Sequence, residues 1–337
     1  MEKIITELCS MAGPSGFEED VAKRAEELLK PYTDETYIDV MGNAVGVKYC
    51  GKENAPKMML DAHIDEIGFV VTGHDEGFLK FAAIGGVDPR MLPACEIKLM
   101  TEPPIIGVVR TMPPHVLTAK QQEEAIKIED MVLDIGLSQE KALEAVPVGT
   151  PGVYNKGAVK FGENLICGKA LDDRACFATL VRAAELLKND TLNVDLYIVG
   201  STQEEVGLRG AKTAAFAVNP EYAIAVDVCH AKTPDYSGWE AQVLGNGAAI
   251  SIGPNMNRAF TKKICAEADK SGFKYQMCVD PGGDSGTNTT VIQTTREGVC
   301  SALISLPLKY MHTPVEVISL DDVESVAQII AAAVRAM

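Results

Sequence analysis

The sequence lacks paired cysteines. Its nine cysteines are scattered singly along 337 residues, their number is odd, and no C-x-x-C spacing occurs. A disulfide framework and a thiolate zinc site are therefore excluded as organising features, because both need cysteines in pairs or closely spaced sets. Most of the cysteines lie in apolar runs such as LICGKA, where a free thiol packs as a small hydrophobe. We expect a protein of a reducing, cytoplasmic compartment.

The sequence also lacks an excess of basic residues and long hydrophobic runs. Its 31 Lys and Arg are outnumbered by 47 Asp and Glu, for a net charge of −16. This charge argues against nucleic acid or an anionic membrane as a partner, since phosphate binding needs clustered cations. No run of 18 apolar residues is present, so we expect no bilayer-spanning segment. We also expect no signal peptide, because MEKIITELCS has no basic region before an apolar core.

Several catalytic motifs are missing as well. The glycine-rich segments GPSG, GGVDP and GGDSG do not match a P-loop, and no G-x-S-x-G elbow occurs. No strand followed by G-x-G-x-x-G is evident either. These absences argue against nucleotide binding and against a serine nucleophile of the α/β-hydrolase type.

Hydrophobic periodicity predicts an α/β protein with a β-rich insertion. Residues 1–68 and 162–337 alternate apolar strands with amphipathic helices, whereas residues 69–161 are dense in short strands, glycine and proline. The predicted fold is a mixed, mostly parallel sheet flanked by helices, interrupted by a small all-β, barrel-like domain. We expect residues 1–68 plus 162–337 to form one discontinuous domain and residues 69–161 another. The polar stretch 117–130 is interpreted as a surface loop.

His63 is the first candidate metal ligand. It lies in LDAHIDEIG, at the end of an apolar strand, and Asp65 follows two residues later. Alternate residues of an extended chain face the same way, so Asp65 can hold the ring nitrogen of His63 that a metal does not use. The alternative is a strand-end histidine beside a surface acid.

Asp172 and Asp173 open a predicted helix after an apolar run. N-capping explains one aspartate at this position, but it does not readily explain two adjacent ones. A carboxylate has two oxygens and can bridge two metal ions about 3.5–4 Å apart.

Glu204 and Glu205 follow the apolar strand VDLYIVGS. Two acids at the exit of a buried strand repel each other unless a cation or a proton relieves the repulsion. Successive side chains point differently, so one can ligate a metal while the other faces the substrate as a general base. A solvated loop is the alternative.

Two further candidates complete the set. Asp227 closes the apolar strand YAIAVDV, and His312 follows the apolar run ALISLPL. Open α/β sheets gather ligands at the carboxyl ends of their strands, and five mixed nitrogen and oxygen donors without a thiolate suit a dinuclear hydrolytic site. The predicted ligands are His63, Asp172, Glu205, Asp227 and His312.

These motifs together resemble the tetrahedral (TET) aminopeptidases, a family of co-catalytic dinuclear metallopeptidases. Its members are also named glutamyl aminopeptidase, deblocking aminopeptidase or cellulase M. The resemblance extends over nearly the whole chain and is specific in combination. It is carried by GPSGFEE, DAHIDEIGF, IGGVDPR, VGTPGVY, ALDDRACF, TQEEVGLRGA, ISIGPNMNR and SLPLKYMHTPVEV.

The resemblance implies a role for each predicted ligand. Asp172 matches the carboxylate that bridges the two ions in this family. His63 and Asp227 would complete one metal site, while Glu205 and His312 would complete the other. The implied cofactors are two divalent ions per subunit, with zinc or cobalt favoured and manganese as a further candidate.

The resemblance also implies the remaining features. Glu204 would be the general base and acid, Asp65 would orient His63, and a cis peptide would join Asp172 to Asp173. The β-rich insertion resembles the family's dimerisation domain, and dimers in that family assemble into a hollow tetrahedral dodecamer. We therefore expect an aminopeptidase that acts on peptides as a homo-oligomer, either a dimer or a dodecamer.

One departure from the family concerns Asn288. Members often carry G-T-D-A where this chain has Gly286, Thr287, Asn288 and Thr289, just after residues 282–285. An acid near the substrate pocket would then be replaced by an amide, which makes the preference for the first substrate residue an open question.

Three rival functions remain open from sequence. A glycosidase needs two carboxylates that face each other about 5–9.5 Å apart, whereas Glu204 and Glu205 are adjacent and two histidines would be unused. A metal-dependent deacylase would use the same ligands but would need no free α-amine on its substrate. A non-catalytic assembly protein would have a decayed site, yet all five ligands and the base are present.

Overall fold

The structure, a computed structural model, describes residues 1–119, 123, 126–281 and 286–337. Within these residues it contains an 11-stranded mixed sheet and a closed antiparallel barrel. The strands in chain order are β1 (Glu35–Ile38), β2 (Ala44–Lys48), β3 (Lys57–His63), β4 (Gly68–Asp75), β5 (Phe78–Ile84), β6 (Glu96–Leu99), β7 (Ile105–Arg110), β8 (Val132–Asp134), β9 (Pro151–Tyr154), β10 (Val159–Phe161), β11 (Leu165–Gly168), β12 (Asp195–Ser201), β13 (Tyr222–His230), β14 (Ala248–Ile252), β15 (Tyr275–Val279), β16 (Cys300–Lys309) and β17 (Glu316–Ser319). The α-helices of the described residues are α1 (Glu2–Ser10), α2 (Glu19–Leu29), α3 (Gln139–Ala145), α4 (Leu171–Leu187), α5 (Arg209–Val218), α6 (Arg258–Ser271), α7 (Thr289–Ile292) and α8 (Leu320–Arg335).

The large sheet is parallel in its centre and antiparallel towards both edges. Its order is β1-β2-β12-β3-β13-β16-β17-β11-β10, in which β12, β3, β13 and β16 run parallel. Strand β14 pairs antiparallel with β16, and β15 pairs parallel with β14. The predicted mixed α/β architecture is confirmed. Among the described strands, parallel pairing occurs among β12, β3, β13 and β16 and between β14 and β15.

Both faces of the central strands are buried, which explains their long apolar runs. Met58 and Leu60 of β3 join a core cluster that also contains buried residues of α1, α2, α4, α6 and α8. Met59, between them, joins a second cluster with alanines of α5. Alternate side chains of β3 thus pack against two different layers of helices. The polar residues that follow the strand lie at the carboxyl end of the sheet.

The barrel is formed by strands β4 to β9 in the order β4-β5-β8-β7-β6-β9. It has its own core, in which Phe69 packs edge-to-face on Tyr154 with ring centroids 5.3 Å apart. The predicted β-rich insertion is confirmed as a barrel, and β10 (Val159–Phe161) pairs within the large sheet. The predicted loop at 117–130 lies partly outside the described residues. None of the described helices is long and apolar enough to cross a membrane.

Candidate metal centre

The five predicted ligands meet at one edge of the large sheet. His63 is the last residue of β3, and its partner in the parallel register is Ser201, the last residue of β12. Glu204 and Glu205 therefore follow directly beside His63, in the turn that leaves β12. Strand β13 continues past Asp227 to His230, so Asp227 lies within its strand rather than at its end.

One half of this cluster, the His63 half, is built around the imidazole of His63, which is 1% exposed. Its Nε2 atom lies 3.1 Å from Oδ1 of Asp172 and 3.9 Å from Oε2 of Glu204. Ligand atoms of His63, Asp173 and Asp227 also lie within 4.8 Å of one another. The sequence analysis assigned no ligand role to Asp173, which the structure places among the candidate donors.

The other half, the His312 half, is built around His312, which follows β16. Its Nε2 atom lies 3.4 Å from Oδ2 of Asp172 and 3.2 Å from Oε1 of Glu205. Asp172 therefore directs one carboxylate oxygen to each histidine. The peptide bond between Asp172 and Asp173 is cis, as the family resemblance implies.

Asp65 connects His63 to the glutamate pair. Its Oδ1 atom lies 3.3 Å from Nδ1 of His63 and accepts a hydrogen bond of 3.0 Å from the backbone N–H of Glu204. Its Oδ2 atom accepts from the N–H of Glu205 at 3.2 Å and from the hydroxyl of Ser15 at 2.6 Å. One carboxylate thus contacts both the imidazole of His63 and the backbone that carries the two glutamates.

Glu316 likewise holds the backbone that carries Asp172 and His312. This residue was not predicted from the sequence. Its Oε2 accepts from the backbone N–H groups of Leu171 and Asp172 at 2.8 and 3.2 Å. Its Oε1 accepts from the N–H of His312 at 2.9 Å. The signal available in the sequence was an acid at the start of the apolar strand EVIS, a position where an unpaired carboxylate is costly.

A buried ion-pair network supports the strand end from behind. Lys169 and Arg174 lie 2.7 and 3.0 Å from the carboxylate of Glu66. Arg174 also donates to the backbone carbonyl of Ile64 at 2.9 Å. These contacts fix the backbone on both sides of Asp65.

The electrostatics of the cluster favour a cation. Burial and the neighbouring carboxylates raise the pKa of Glu204 to about 9 and that of Asp227 to about 8, against the opposing effect of His63. Although burial lowers it, the contacts with Asp172 and Glu205 raise the pKa of His312 to about 11. Asp227 therefore holds a proton that a divalent ion would replace. The imidazole and carboxylate donors fit such ions.

A cavity of about 440 Å³ opens onto the cluster. Its lining also includes two more acids, Glu240 and Asp280, and the described lining contains no lysine or arginine. The hydroxyl of Tyr236 donates to Glu240 at 3.1 Å. The cavity therefore extends beyond the ligands as a negatively charged pocket.

Asn288 is not among the described residues that line this cavity. It is 2% exposed, and its amide nitrogen donates to Oδ2 of Asp61 at 2.7 Å and to the hydroxyl of Ser201 at 3.0 Å. The neighbouring Gly286 and Thr287 do line the cavity, while residues 282–285 lie outside the described residues. Asn288 thus lies next to the cavity-lining Thr287 along the chain, while its own amide contacts Asp61 of β3.

Comparisons with known proteins give a consistent result. A family profile for the M42 glutamyl aminopeptidases matches residues 42–329. The chain is 37% identical over 334 residues to a lysyl aminopeptidase of Pyrococcus furiosus, covering 96% of this chain and 93% of that protein.

Solved structures agree with the family profile. An aminopeptidase of Desulfurococcus kamchatkensis superposes with a TM-score of 0.92 at 33% identity, covering 99% of this chain and 94% of that one. The TET1 peptidase of Pyrococcus horikoshii gives 0.87 at 29% identity, covering 100% and 99%. The latter is described as assembling into a tetrahedron or a large octahedral shell.

Proposed function

The chain belongs to the M42 glutamyl aminopeptidase family, and from this premise we propose that it removes amino-terminal residues from short peptides at a dinuclear metal centre. Membership makes the protein a peptide hydrolase with a divalent-metal site. The observation that carries the dinuclear proposal is the carboxylate of Asp172, whose two oxygens lie 3.1 and 3.4 Å from His63 and His312.

The proposed ligands are those predicted from the sequence. His63 and Asp227 would hold one ion, Glu205 and His312 would hold the other, and both would share Asp172. Zinc or cobalt is the proposed metal, with manganese as a third candidate, since this donor set accepts all three. Asp173 is a further candidate donor beside His63 and Asp227.

Glu204 is the proposed proton carrier. It lies 3.9 Å from His63 and lines the cavity. Ligand atoms of His63 converge within 4.8 Å with those of Asp173 and Asp227, and also with those of Asp172 and Glu205. Glu204 belongs to neither of these two groups. Bound metal ions would acidify a water and polarise the peptide carbonyl. Glu204 takes the proton of the attacking water and returns it to the leaving amine. Asp65 holds the backbone of Glu204 in place for both transfers.

The geometry disfavours a glycosidase. Glu204 and Glu205 leave the same turn, and Glu205 contacts His312 at 3.2 Å instead of facing Glu204 across a substrate. The described site also commits two histidines that such a mechanism would not use.

The pocket beyond the metal centre supports a basic first residue. Glu240 and Asp280 line it, and the relative from Pyrococcus furiosus is named a lysyl aminopeptidase. We expect kcat/KM for a lysyl substrate to exceed that for a glutamyl substrate by at least about tenfold, because a glutamyl side chain would meet like charge. Glu240→Gln and Asp280→Asn should each reduce lysyl turnover more than leucyl turnover.

The β-rich insertion, with the predicted bounds 69–161, is the proposed dimerisation domain, and the strands of its barrel run from Gly68 to Tyr154. A homo-oligomer in the cytoplasm is proposed by analogy with the assembling TET1 relative. Size-exclusion chromatography with light scattering separates a monomer, a dimer and a dodecamer.

The function is tested with metal-stripped protein and a panel of aminoacyl-p-nitroanilides, with and without added Zn²⁺ or Co²⁺. N-acetylated substrates serve as controls. Metal-dependent release from free-amine substrates alone is the expected result. Release of p-nitroaniline from acetylated substrates would instead identify an amidase that needs no free α-amine, and release of acetate from them would identify a deacylase. No hydrolysis of any substrate at full metal occupancy would indicate a non-catalytic protein.

A further inference from the structure

The two halves of the metal centre are supported by different parts of the chain. The barrel reaches the His312 half through the turn Gly85–Gly86, which follows β5. Val87 donates to the carbonyl of Gly85 at 3.1 Å, so Gly86 is the central residue of a tight three-residue turn. Its carbonyl lies 3.0 Å from Nδ1 of His312.

Gly86 has no room for a side chain. A Cβ atom built there would lie 2.7 Å from Nδ1 and 3.0 Å from Cε1 of His312, and its three nearest neighbours all belong to that ring. The φ angle of Gly86 lies outside the left-handed region, so its backbone is open to any residue. Glycine is therefore required at this position by the imidazole it touches.

Gly85 closes the same turn onto the second ligand of this half. A Cβ atom there would lie 3.3 Å from Cβ of Glu205 and 2.9 Å from Cγ2 of Ile67. The turn thus contacts both ligands of the His312 half.

The His63 half is supported differently. Nδ1 of His63 faces Asp65, and its backbone N–H donates to Asp173 at 3.2 Å. Both partners lie in the α/β part of the chain, outside the barrel.

We propose that the Gly85–Gly86 turn of the barrel positions the ligands of the His312 half. Metal binding in the His312 half then depends on the barrel, whereas metal binding in the His63 half does not. The carbonyl of Gly86 accepts the Nδ1 proton of His312 and leaves Nε2, between Asp172 and Glu205, as the metal-binding atom. This inference rests on the proposed ligand role of His312.

The test compares Gly86→Ala with Gly73→Ala. Gly73 lies in the same barrel, has no left-handed φ, and has nothing within 4 Å of its added Cβ. Stripped proteins are titrated with Zn²⁺ by calorimetry, and zinc positions are read from anomalous diffraction. In Gly86→Ala, the added methyl would push the His312 ring away from the carbonyl of residue 86. We therefore expect the affinity for one of the two zinc ions to fall by about 10–100-fold, as it does when a metal ligand loses its outer hydrogen-bond partner. The weakened ion should be the one beside Glu205, and Gly73→Ala should bind as the parent does.

A double variant guards against misfolding. Since the added methyl meets only His312, Gly86→Ala with His312→Ala should fold and should bind zinc as His312→Ala alone does. Equal weakening of both ions in Gly86→Ala, unchanged binding, or an additional loss in the double variant would overturn the inference. Binding of fewer than two ions by the parent protein would instead refute the dinuclear proposal.

Discussion

The two histidines of the centre differ most in their surroundings. The side chain of His63 is 1% exposed, whereas that of His312 is 32% exposed. His63 ends a central parallel strand, while His312 lies in an irregular segment at a left-handed φ of 62°. The first half of the site is thus part of the sheet, and the second is assembled from loops.

This difference indicates how the site is divided. A ligand on a buried strand is held by the core, so its position costs little to maintain. A ligand on a loop depends on specific partners, which here are Glu316 on its backbone and Gly86 on its ring. We expect the ion of the His63 half to bind more tightly than the ion of the His312 half.

The largest effect should come from Asp172, which joins the halves. Asp172→Ala removes a donor from each ion and leaves two histidines without their shared partner. We expect binding of both ions to fail and hydrolysis to fall to background, as measured by metal content after gel filtration and by p-nitroanilide release. A fully metallated, active variant would contradict the bridging role.

Glu204→Gln should separate chemistry from metal binding. The amide keeps the shape of the side chain but cannot carry a proton, so kcat should fall by about 10²–10⁴-fold. Zinc affinity of both halves should stay within error of the parent, and Glu163→Gln, on an exposed turn, is the matched control. Retained turnover would exclude Glu204 as the proton carrier.

Asp65→Asn should affect the halves unequally. Its carboxylate faces Nδ1 of His63 and touches nothing in the His312 half except the backbone of Glu205. We expect the affinity for the ion of the His63 half to fall by about 10–100-fold and the affinity for the other ion to fall by less. Calorimetric titration reads both steps, and an equal loss in both would show that the halves are not independent.

The smallest effect concerns pH and the metal-free protein. The folded pKa values of Glu204, Asp227 and His312 are all raised above their ordinary values, to about 9, 8 and 11. At these three groups the folded state therefore binds more protons than the unfolded state. The free energy of unfolding of the metal-free protein falls as pH rises from the ordinary pKa of each group to its raised folded value.

The corresponding measurement is the Tm of stripped and zinc-loaded protein from pH 6 to pH 9. Stripped protein should lose several degrees over this range, and the gap between the two forms should widen as pH rises. A Tm difference that narrows as pH rises would show that protons and metal ions do not compete for Asp227 and His312.

The clustering of the proposed ligands could be predicted because four of them end or follow apolar strands, while Asp227 lies near the end of its strand. Strand β3 is mostly apolar before His63, with the buried Asp61 as an exception, so the run of polar residues after it was expected at the carboxyl end of the sheet. The same argument applied to Glu205 and His312, and the family resemblance assigned their roles.

The supporting partners could not be predicted in the same way. Gly86 and His312 are 226 positions apart, and the contact depends on how the barrel sits against the sheet. Asn288 pairs with Asp61, 227 positions away, which no local pattern indicates. Such contacts are products of tertiary packing, so the sequence alone could not show that the amide of Asn288 contacts β3 while Gly286 and Thr287 line the cavity.

The most direct test of the account is anomalous diffraction from zinc-loaded crystals of the parent protein. The account predicts two zinc peaks in each subunit, one beside His63 and one beside His312, with the carboxylate of Asp172 between them. A single peak, or two peaks without Asp172 between them, would contradict it.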